Sequence, residues 1–571
     1  MSDLTVSVPA ESDPGVTDLT VAELEVADLD PAVADPAVVD PAVVDPAVPT
    51  PAAADPIVTD PTGTDPVPTP QVPRSASIER EVKLAAAPSF RLPDLRGVVE
   101  GAVVEDHPAR RQQTTYYDTS DLRLARWGCS LRHRDTDGWT LKLPSSGTGS
   151  LLVREEIRFE GDAKLVPDAA VDLVRAYVRT APVAPVTRLR TLRRAVALRD
   201  ADGRLLAEVV DDEVSVMDGR RLAARFRELE VEAGEAATEE AIELVLDLLR
   251  TAGAGGSDPT PKNVRALGPR AAQPPEVTVD ELQSGATAGR VFRHALAGSV
   301  IRLLRHDVVI RLDTDPEGVH QARVATRRMR SDLRTFGSLL DPAWSAGIVE
   351  DLRWLGGKLG AARDADVLLG RLTARATLLD GADRQAIGRL LAELARAREA
   401  AHTDMLAALR EPRYAEILDR LVDAANAPRL LLEADLPAAT VLPRLVRGPW
   451  RRLERAVSRL EEPPTDEELH AVRIAAKRVR YASEAVAPLL GKPARDLAQA
   501  AAALQDILGE HNDAVVAARW LRGPMANSRS VRTAFVAGEL AGLERWAAAE
   551  TRDQWRPAWK RLRDRRLRSW M

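Results

Sequence analysis

The sequence predicts a multidomain chain: a disordered tail, then an antiparallel β-barrel, then an all-α helical-bundle domain with an internal duplication. Three observations predict it. The start is acidic and spaced by prolines, the next stretch alternates in short runs separated by turn signals, and the last half is rich in Ala, Leu and Arg with apolar residues recurring at three and four.

At 571 residues, 45% hydrophobic and 29% charged, the chain is long enough for two or three domains. No stretch approaches the roughly 20 consecutive apolar residues of a bilayer span, and the start lacks the basic and apolar regions of a signal peptide. The sequence therefore predicts a cytoplasmic protein with no membrane partner. Cys129 is the single cysteine, which excludes an internal disulfide and a thiolate-rich metal site.

The net charge of −7 is unevenly spread. Residues 1–76 hold 14 acidic residues against one arginine, residues 77–280 hold 34 against 30 bases, and residues 281–571 hold 38 against 48. A basic C-terminal half points to a polyanionic partner. The tail, 1–76, carries 14 of the 39 prolines and a five-residue repeat at Asp30, Asp35, Asp40 and Asp45, each followed by Pro. Proline removes backbone donors and disfavours helix at the residue before it, so this segment reads as disordered.

From Ser77 the candidate strands are 77–84, 112–118, 128–135, 138–143, 151–159, 188–199, 204–217 and 225–233, with a hairpin turn at Asp200–Gly203. Helices are expected at 168–180 and 238–251. So many strands suggest a sheet closed into a barrel. Residues two apart share a strand face, so Glu79, Glu81 and Lys83 lie together, as do Arg132 with Arg134, Thr140 with Lys142, Arg154 with Glu156 and Arg158, and Glu228 with Glu230 and Glu232. The opposite faces carry residues such as Val82, Leu131, Leu141 and Val231. Two architectures accommodate this: an apolar core with solvated charges, or an ionic lumen inside an apolar wall covered by helices. In the second, carboxylates suit hard divalent cations, and Lys and Arg suit phosphate oxygens.

The Glu79, Glu81, Lys83 triplet resembles the ExExK signature of the CYTH superfamily, the triphosphate tunnel metalloenzymes. The resemblance continues in order through Tyr116–Thr119, Leu122–Leu124, Leu131–Arg134, Trp139–Lys142, Arg154–Glu156 and Glu228–Glu232, from Ser77 to about Leu267. It implies an eight-stranded tunnel that hydrolyses a triphosphate with Mg²⁺ or Mn²⁺. Glu79, Glu81, Glu230 and Glu232 would hold metal. Lys83, Arg132, Arg134, Lys142, Arg154 and Arg193 would grip phosphates, and Glu156 would complete a metal or water site, so that Glu79, Glu81, Lys83 and Glu156 form the catalytic set. Glu208 and Asp211 have no settled facing, and Lys262 reads equally as a linker lysine. Cys129 reads as structural.

Residues 252–284 are rich in Gly, Pro and Ala, with 268–284 read as a linker to a helical domain at 285–571. There His320-Gln-Ala-Arg-Val-Ala-Thr-Arg-Arg-Met-Arg330 is echoed by His470-Ala-Val-Arg-Ile-Ala-Ala-Lys-Arg-Val-Arg480, 150 residues later, which divides the domain into halves at about 285–430 and 431–571. On a helix, His320, Arg323, Arg327 and Arg330 fall within an arc of about 80°, and His470, Arg473, Lys477 and Arg480 repeat it. A second echo pairs 355–364 with 504–513 and places Asn512 where the first copy has Arg363; Asp364 and Asp513 read as salt-bridge or capping residues. Asp315-Pro316 and Asp341-Pro342 fence one helix of about 25 residues.

This pattern resembles the CHAD family, named for its conserved histidines. The resemblance implies paired helical bundles that bind inorganic polyphosphate on a basic surface through those eight stripe residues. The expected activity is metal-dependent triphosphate hydrolysis coupled to polyphosphate binding. The alternative is a non-catalytic polyphosphate or nucleotide sensor. No nucleic-acid-reading motif accompanies the stripes, so a nucleic-acid partner is not expected.

Overall fold

The computed structural model describes residues 75–144, 152–313, 315–523 and 530–571. The expected disordered tail therefore lies almost wholly outside the described residues. Nine strands follow: β1 (Ser75–Ala86), β2 (Val103–Asp106), β3 (Arg110–Asp118), β4 (Ser130–Arg134), β5 (Gly138–Lys142), β6 (Leu152–Phe159), β7 (Ala184–Arg199), β8 (Leu205–Asp218) and β9 (Arg221–Ala233). Their order is β2-β7-β3-β4-β5-β6-β1-β9-β8, and β8 pairs back onto β7. Eight antiparallel strands thus close into a barrel, with β2 added beside the end of β7. Closure pairs the edges of the eight-stranded sheet.

Around the barrel lie α1 (Arg123–Arg126), α2 (Asp168–Leu173), α3 (Arg175–Val178), α4 (Glu239–Thr251) and α5 (Lys262–Leu267). The rest is helical: α6 (Ala288–Leu312), α7 (Glu317–Thr335), α8 (Pro342–Ala376), α9 (Arg384–Arg410), α10 (Pro412–Asn426), α11 (Ala438–Ser458), α12 (Asp466–Leu490), α13 (Lys492–Arg522), α14 (Val531–Thr551), α15 (Trp555–Leu562) and α16 (Arg565–Arg568). Contacts group the described residues into two units, one of 75–362 with 400–442, the other of 363–399 with 443–571.

In the first unit, alternation decides the wall. Val82, Leu84, Val209, Leu229 and Val231 are buried outside the lumen against Ile242, Val245, Leu246 and Leu249 of α4. That helix starts where Thr238 accepts a hydrogen bond from the Ala241 N–H, with Glu239 and Glu240 favouring the positive N-terminus. The apolar faces therefore look outward under a helix, and the charged faces look inward. Salt bridges tie α2 to α6, where Arg311 reaches Asp172 at 2.8 Å and, within α6, Asp307 at 2.7 Å, and tie Arg179 after α3 to Asp419 of α10 at 2.7 Å and to Glu276 at 2.6 Å.

Two expected helices are corrected. The helix at 168–180 is two short ones, because Val174 leaves helical geometry and Arg179 takes a positive φ of 54°, where its ion pairs hold it. The helix fenced by Asp315-Pro316 and Asp341-Pro342 ends at Thr335. Phe336 is fully buried, packs on Phe292 with ring centroids 5.4 Å apart, and turns the chain into a 3-10 turn at Gly337–Leu339.

In the second unit, Leu372, Leu390 and Leu394 pack with Leu521, Val536 and Leu540. Beneath them Arg371 reaches Glu544 at 2.7 Å and Glu510 at 2.8 Å. The helix α12 begins with a capping box in which Thr465 and Glu468 each bond the other's backbone N–H.

A Cβ at Gly234, just after β9, would stand 2.1 Å from the Leu205 carbonyl oxygen. Gly234→Ala is expected to destabilise the barrel by about 1–3 kcal/mol, read as a lower thermal unfolding temperature by tryptophan fluorescence.

Candidate active site: a charged tunnel

The strand register brings the predicted charges together. Paired residues in neighbouring antiparallel strands share a face, and the pairs are Glu81 with Glu232, Lys83 with Glu230, Glu79 with Arg154, Lys142 with Glu156, and Arg193 with Asp212. Glu79, Glu81, Lys83, Arg132, Arg134, Lys142, Arg154, Glu156, Arg193, Glu230 and Glu232 all line one cavity of about 220 Å³. Every tunnel residue of the sequence reading is among them.

The cavity has two walls. On β4, β5 and β6 stand Arg132, Arg134, Lys142 and Arg154. These strands also carry Glu156, which Lys142 approaches to 3.3 Å and Arg132 to 3.6 Å. Burial alone would raise the Glu156 carboxyl, but Lys142, Arg132 and Arg158 together outweigh it and hold it below its usual range. The Nε atoms of Arg132, Arg134 and Arg154 are buried and have no hydrogen-bond partner. Buried donors of this kind cost free energy until an acceptor reaches them.

The opposite wall is acidic. Lys83, 4% exposed, ion-pairs with Glu81 at 2.9 Å, Glu228 at 3.5 Å and, closest, Glu230. Burial alone would lower its ammonium pKa, but Glu230, Glu228 and Glu81 together hold it well above the usual value. Glu230 is correspondingly held well below the carboxylate range: its burial opposes this, and Lys262, Lys83 and Arg193 outweigh it. Lys142 likewise ion-pairs with Glu79.

The sequence reading missed Asp212 and left Lys262 undecided. Arg193 grips Asp212 at 2.7 Å, and Lys262, at the start of α5, reaches Asp212 at 2.7 Å, Glu230 at 2.9 Å and Glu228 at 3.3 Å. Lys262 is thus a tunnel residue. The inward partner of the Asp211-Asp212 pair is Asp212; Asp211 faces outward to Arg227 at 2.6 Å. Glu208 lies opposite Glu232 in register but does not line the cavity; His107 stands 3.8 Å from it. Alternation from Arg193 to its register partner would have found Asp212. Cys129 is buried, and that burial, with Asp118, pushes its thiol far above the usual range, as a structural cysteine requires.

Among the described residues no three His, Cys, Asp or Glu converge to hold a metal ion as they stand. The donor set nevertheless fits a hard cation. Glu81 is 1% exposed and its Oε1 has no partner, Lys83 standing 2.9 Å from Oε2, while burial, then Glu230 and Glu79, push the Glu232 carboxyl up to about 7. The Glu81–Glu232 register pair is thus short of positive charge, and oxygen ligands suit Mg²⁺ or Mn²⁺.

Of the helical stripes, the first lies on α7. His320 and Arg323 are buried, and Arg327 and Arg330 half-buried. A Cβ at Gly356 would stand 3.9 Å from the Arg330 Nη1, so this glycine of α8 lets that guanidinium lie close. The second lies on α12. His470 Nδ1 is 2.7 Å from the Asn512 Oδ1, Arg480 pairs with Glu484 at 2.9 Å, and Lys477 is buried. Arg473 is 0% exposed, its Nε and Nη1 have no hydrogen-bond partner, and Gly509 of α13 leaves it room. The expected basic surface is corrected: His320, Arg323, Arg473 and Lys477 are buried, because their arc borders the one that carries buried Ala322, Ala325 and Met329 on α7 and Val472, Ala476 and Val479 on α12.

A CYTH domain model matches residues 77–262, and a CHAD domain model matches residues 294–522. An uncharacterized protein of Mycobacterium tuberculosis is 31% identical over 541 residues, covering 86% of this chain and 97% of its own. Among solved structures, PptA from Streptomyces chartreusis is 26% identical with a TM-score of 0.41, covering 48% of this chain and 100% of its own. The CHAD domain from the plant Ricinus communis is 28% identical with a TM-score of 0.42, covering 50% of this chain and 95% of its own. A Hippeastrum protein described as revealing a dominant triphosphatase activity is 16% identical with a TM-score of 0.20, covering 32% of this chain and 93% of its own.

The chain carries a CYTH domain followed by a CHAD domain and belongs to one family with the Mycobacterium tuberculosis protein. CYTH members are triphosphatases or related enzymes, typically metal-dependent, and CYTH and CHAD domains are associated with triphosphate and polyphosphate. No helix among the described residues is long and apolar enough to cross a membrane.

Lys83→Met leaves Glu81, Glu228 and Glu230 buried without their shared cation, so it is expected to destabilise the barrel by about 3–5 kcal/mol in urea unfolding at neutral pH. Adding Glu230→Gln recovers part of that loss. Glu230, Asp212 and Glu156 are depressed, so their contribution is present above the ordinary carboxylate range and is lost as pH falls below it.

Proposed function

We propose that this protein hydrolyses inorganic triphosphate, or a related triphosphate, in the tunnel with Mg²⁺ or Mn²⁺, and that its helical region binds inorganic polyphosphate. The observation that carries this reading is the pair of walls: unsatisfied buried arginine donors on β4 and β6, and on β1 and β9 the register pair of Glu81, with an unpartnered oxygen, and Glu232, whose carboxyl is raised.

The residues divide the work by charge. Arg132, Arg134 and Arg154 donate to phosphate oxygens on the basic wall, and Lys83 and Lys142 stand between the walls within reach of either. Arg193, fixed by Asp212, borders the substrate and holds Glu230 at 3.2 Å. Glu79, Glu81, Glu230 and Glu232 would hold a divalent cation, which when bound neutralises phosphate charge. Glu156, kept ionised by its cationic neighbours, is the acceptor for the attacking water.

Water attacks the terminal phosphorus, the bond to the bridging oxygen breaks, and pyrophosphate leaves with the electron pair. The arginines stabilise the charge that moves onto the leaving oxygens, which is the main way phosphoryl transfer is catalysed. A binding role without turnover draws support from Glu230, whose carboxylate is already met by Lys83, Lys262 and Arg193. Phosphate release decides between the two.

Glu79→Gln with Glu81→Gln is expected to lower metal-dependent phosphate release from triphosphate by about 100-fold or more while leaving polyphosphate retention unchanged. Surviving release contradicts the site assignment. Arg323→Ala with Arg473→Ala is expected to weaken polyphosphate binding in a gel-shift titration and to flatten its salt dependence. Unchanged binding, with folding verified by circular dichroism, contradicts the stripe assignment.

A further inference from the structure

We propose that the outer face of the barrel on β7, β8 and β9 is a second anion-binding surface, separate from the tunnel, that fits an extended inorganic polyanion. The inference rests on the polyphosphate chemistry proposed above.

The strand pairings place Gln113, Arg190, Ser215 and Arg225 in one row across β3, β7, β8 and β9. Arg190 and Arg225 flank Ser215, about 10 Å apart at the usual strand spacing. Arg188 lies two residues from Arg190 and so on the same face, away from the lumen that Arg193 enters. Arg220 and Arg221 stand at the tip of the β8–β9 hairpin beside it. All five arginines are exposed. None forms an ion pair or side-chain hydrogen bond among the described residues.

The carboxylates within reach answer them only in part. Glu213 is paired with Arg194 at 2.8 Å and acts on Arg225 without an ion pair, Asp211 is paired with Arg227, and Asp218, opposite Arg221 in register, is a single acid beside five bases. In a chain of net charge −7, five arginines against so few acids at one end of a sheet produce a strong local positive potential. Like charges so close on a sheet cost stability, and nothing in barrel packing calls for them.

The same face lacks the aromatic platforms that single-stranded nucleic acid stacks upon: Phe226 packs with Leu189 and Val214, and Tyr117 is buried against Trp139. A polyanion of phosphates without bases is therefore the chemistry that fits. Guanidinium groups about 10 Å apart suit a linear anion lying across the strands, and phosphates recognised by arginine need no pocket.

The test uses the full chain carrying Arg188→Gln, Arg190→Gln and Arg225→Gln, with the corresponding three-lysine variant as the charge-retaining control. Binding of long-chain inorganic polyphosphate is followed by fluorescence anisotropy across a salt series. The glutamine variant is expected to bind about tenfold more weakly at 0.1 M salt, with the slope of log K against log salt shallower by about two, while the lysine variant keeps most of the affinity. Phosphate release from triphosphate stays unchanged in both. An unchanged affinity and slope overturns the proposal, as does tighter binding of a single-stranded oligonucleotide than of polyphosphate to the parent surface. Absence of triphosphate release from the parent protein strikes the tunnel reading and leaves the salt-slope result to stand separately.

Discussion

The barrel depends on one constraint: its lumen must be close to electrically balanced while cut off from most of the water. Lys83 shows the constraint at its sharpest. Its ammonium is nearly buried and is tolerable there because Glu81, Glu228 and Glu230 surround it. An isolated buried charge is far costlier than a matched one, so the acids and bases of the tunnel are mutually obligatory. The balance is global but not local. Arginines gather on β4 and β6, carboxylates on β1 and β9, and each wall retains groups that its own neighbours do not satisfy. A ligand carrying both an anion and a cation would complete both walls at once, which is why the proposed ligand is a metal-bound triphosphate rather than either ion alone.

The same constraint explains what could be read from the sequence. Strand alternation fixes faces without coordinates, so the charged faces of β1, β4, β5, β6 and β9 were legible, and so was their convergence once a closed sheet was assumed. Alternation says nothing of which side is inward. That was decided by α4, whose buried Val245, Leu246 and Leu249 cover the apolar faces and leave the charged ones to the lumen. Doublets defeated the pattern. At Arg193-Arg194 and Asp211-Asp212 one member faces each way, and only the register shows that Arg193 and Asp212 are the inward pair. Lys262 was harder still, because its place depends on a segment of the Gly- and Pro-rich stretch folding back onto the end of the barrel.

The helical half was legible in its duplication and less so in its packing. The repeated His-Arg-Lys/Arg-Arg spacing aligns its cations on one arc in each copy, as helical geometry demands. Burial of Arg323 and Arg473 did not follow from charge, which usually marks a solvated face. It follows from small residues: Gly509 lies opposite Arg473, and the cations' arc borders the buried Ala and Val of the packed face. A guanidinium left buried with open donors, as at Arg473, is a poor way to stabilise a bundle and a good way to receive an anion. Arg473 thus shares a device with the tunnel: arginine donors kept dry and short of acceptors.

The central claim is that the two tunnel walls receive the anion and the cation of one ligand. A crystal structure of the protein with Mn²⁺ and a non-hydrolysable triphosphate tests it most directly. The account predicts phosphate density against Arg132, Arg134 and Arg154 and an anomalous manganese peak among Glu79, Glu81 and Glu232. Triphosphate bound on the outside of the barrel, with both walls still paired as they are in the free protein, would contradict it.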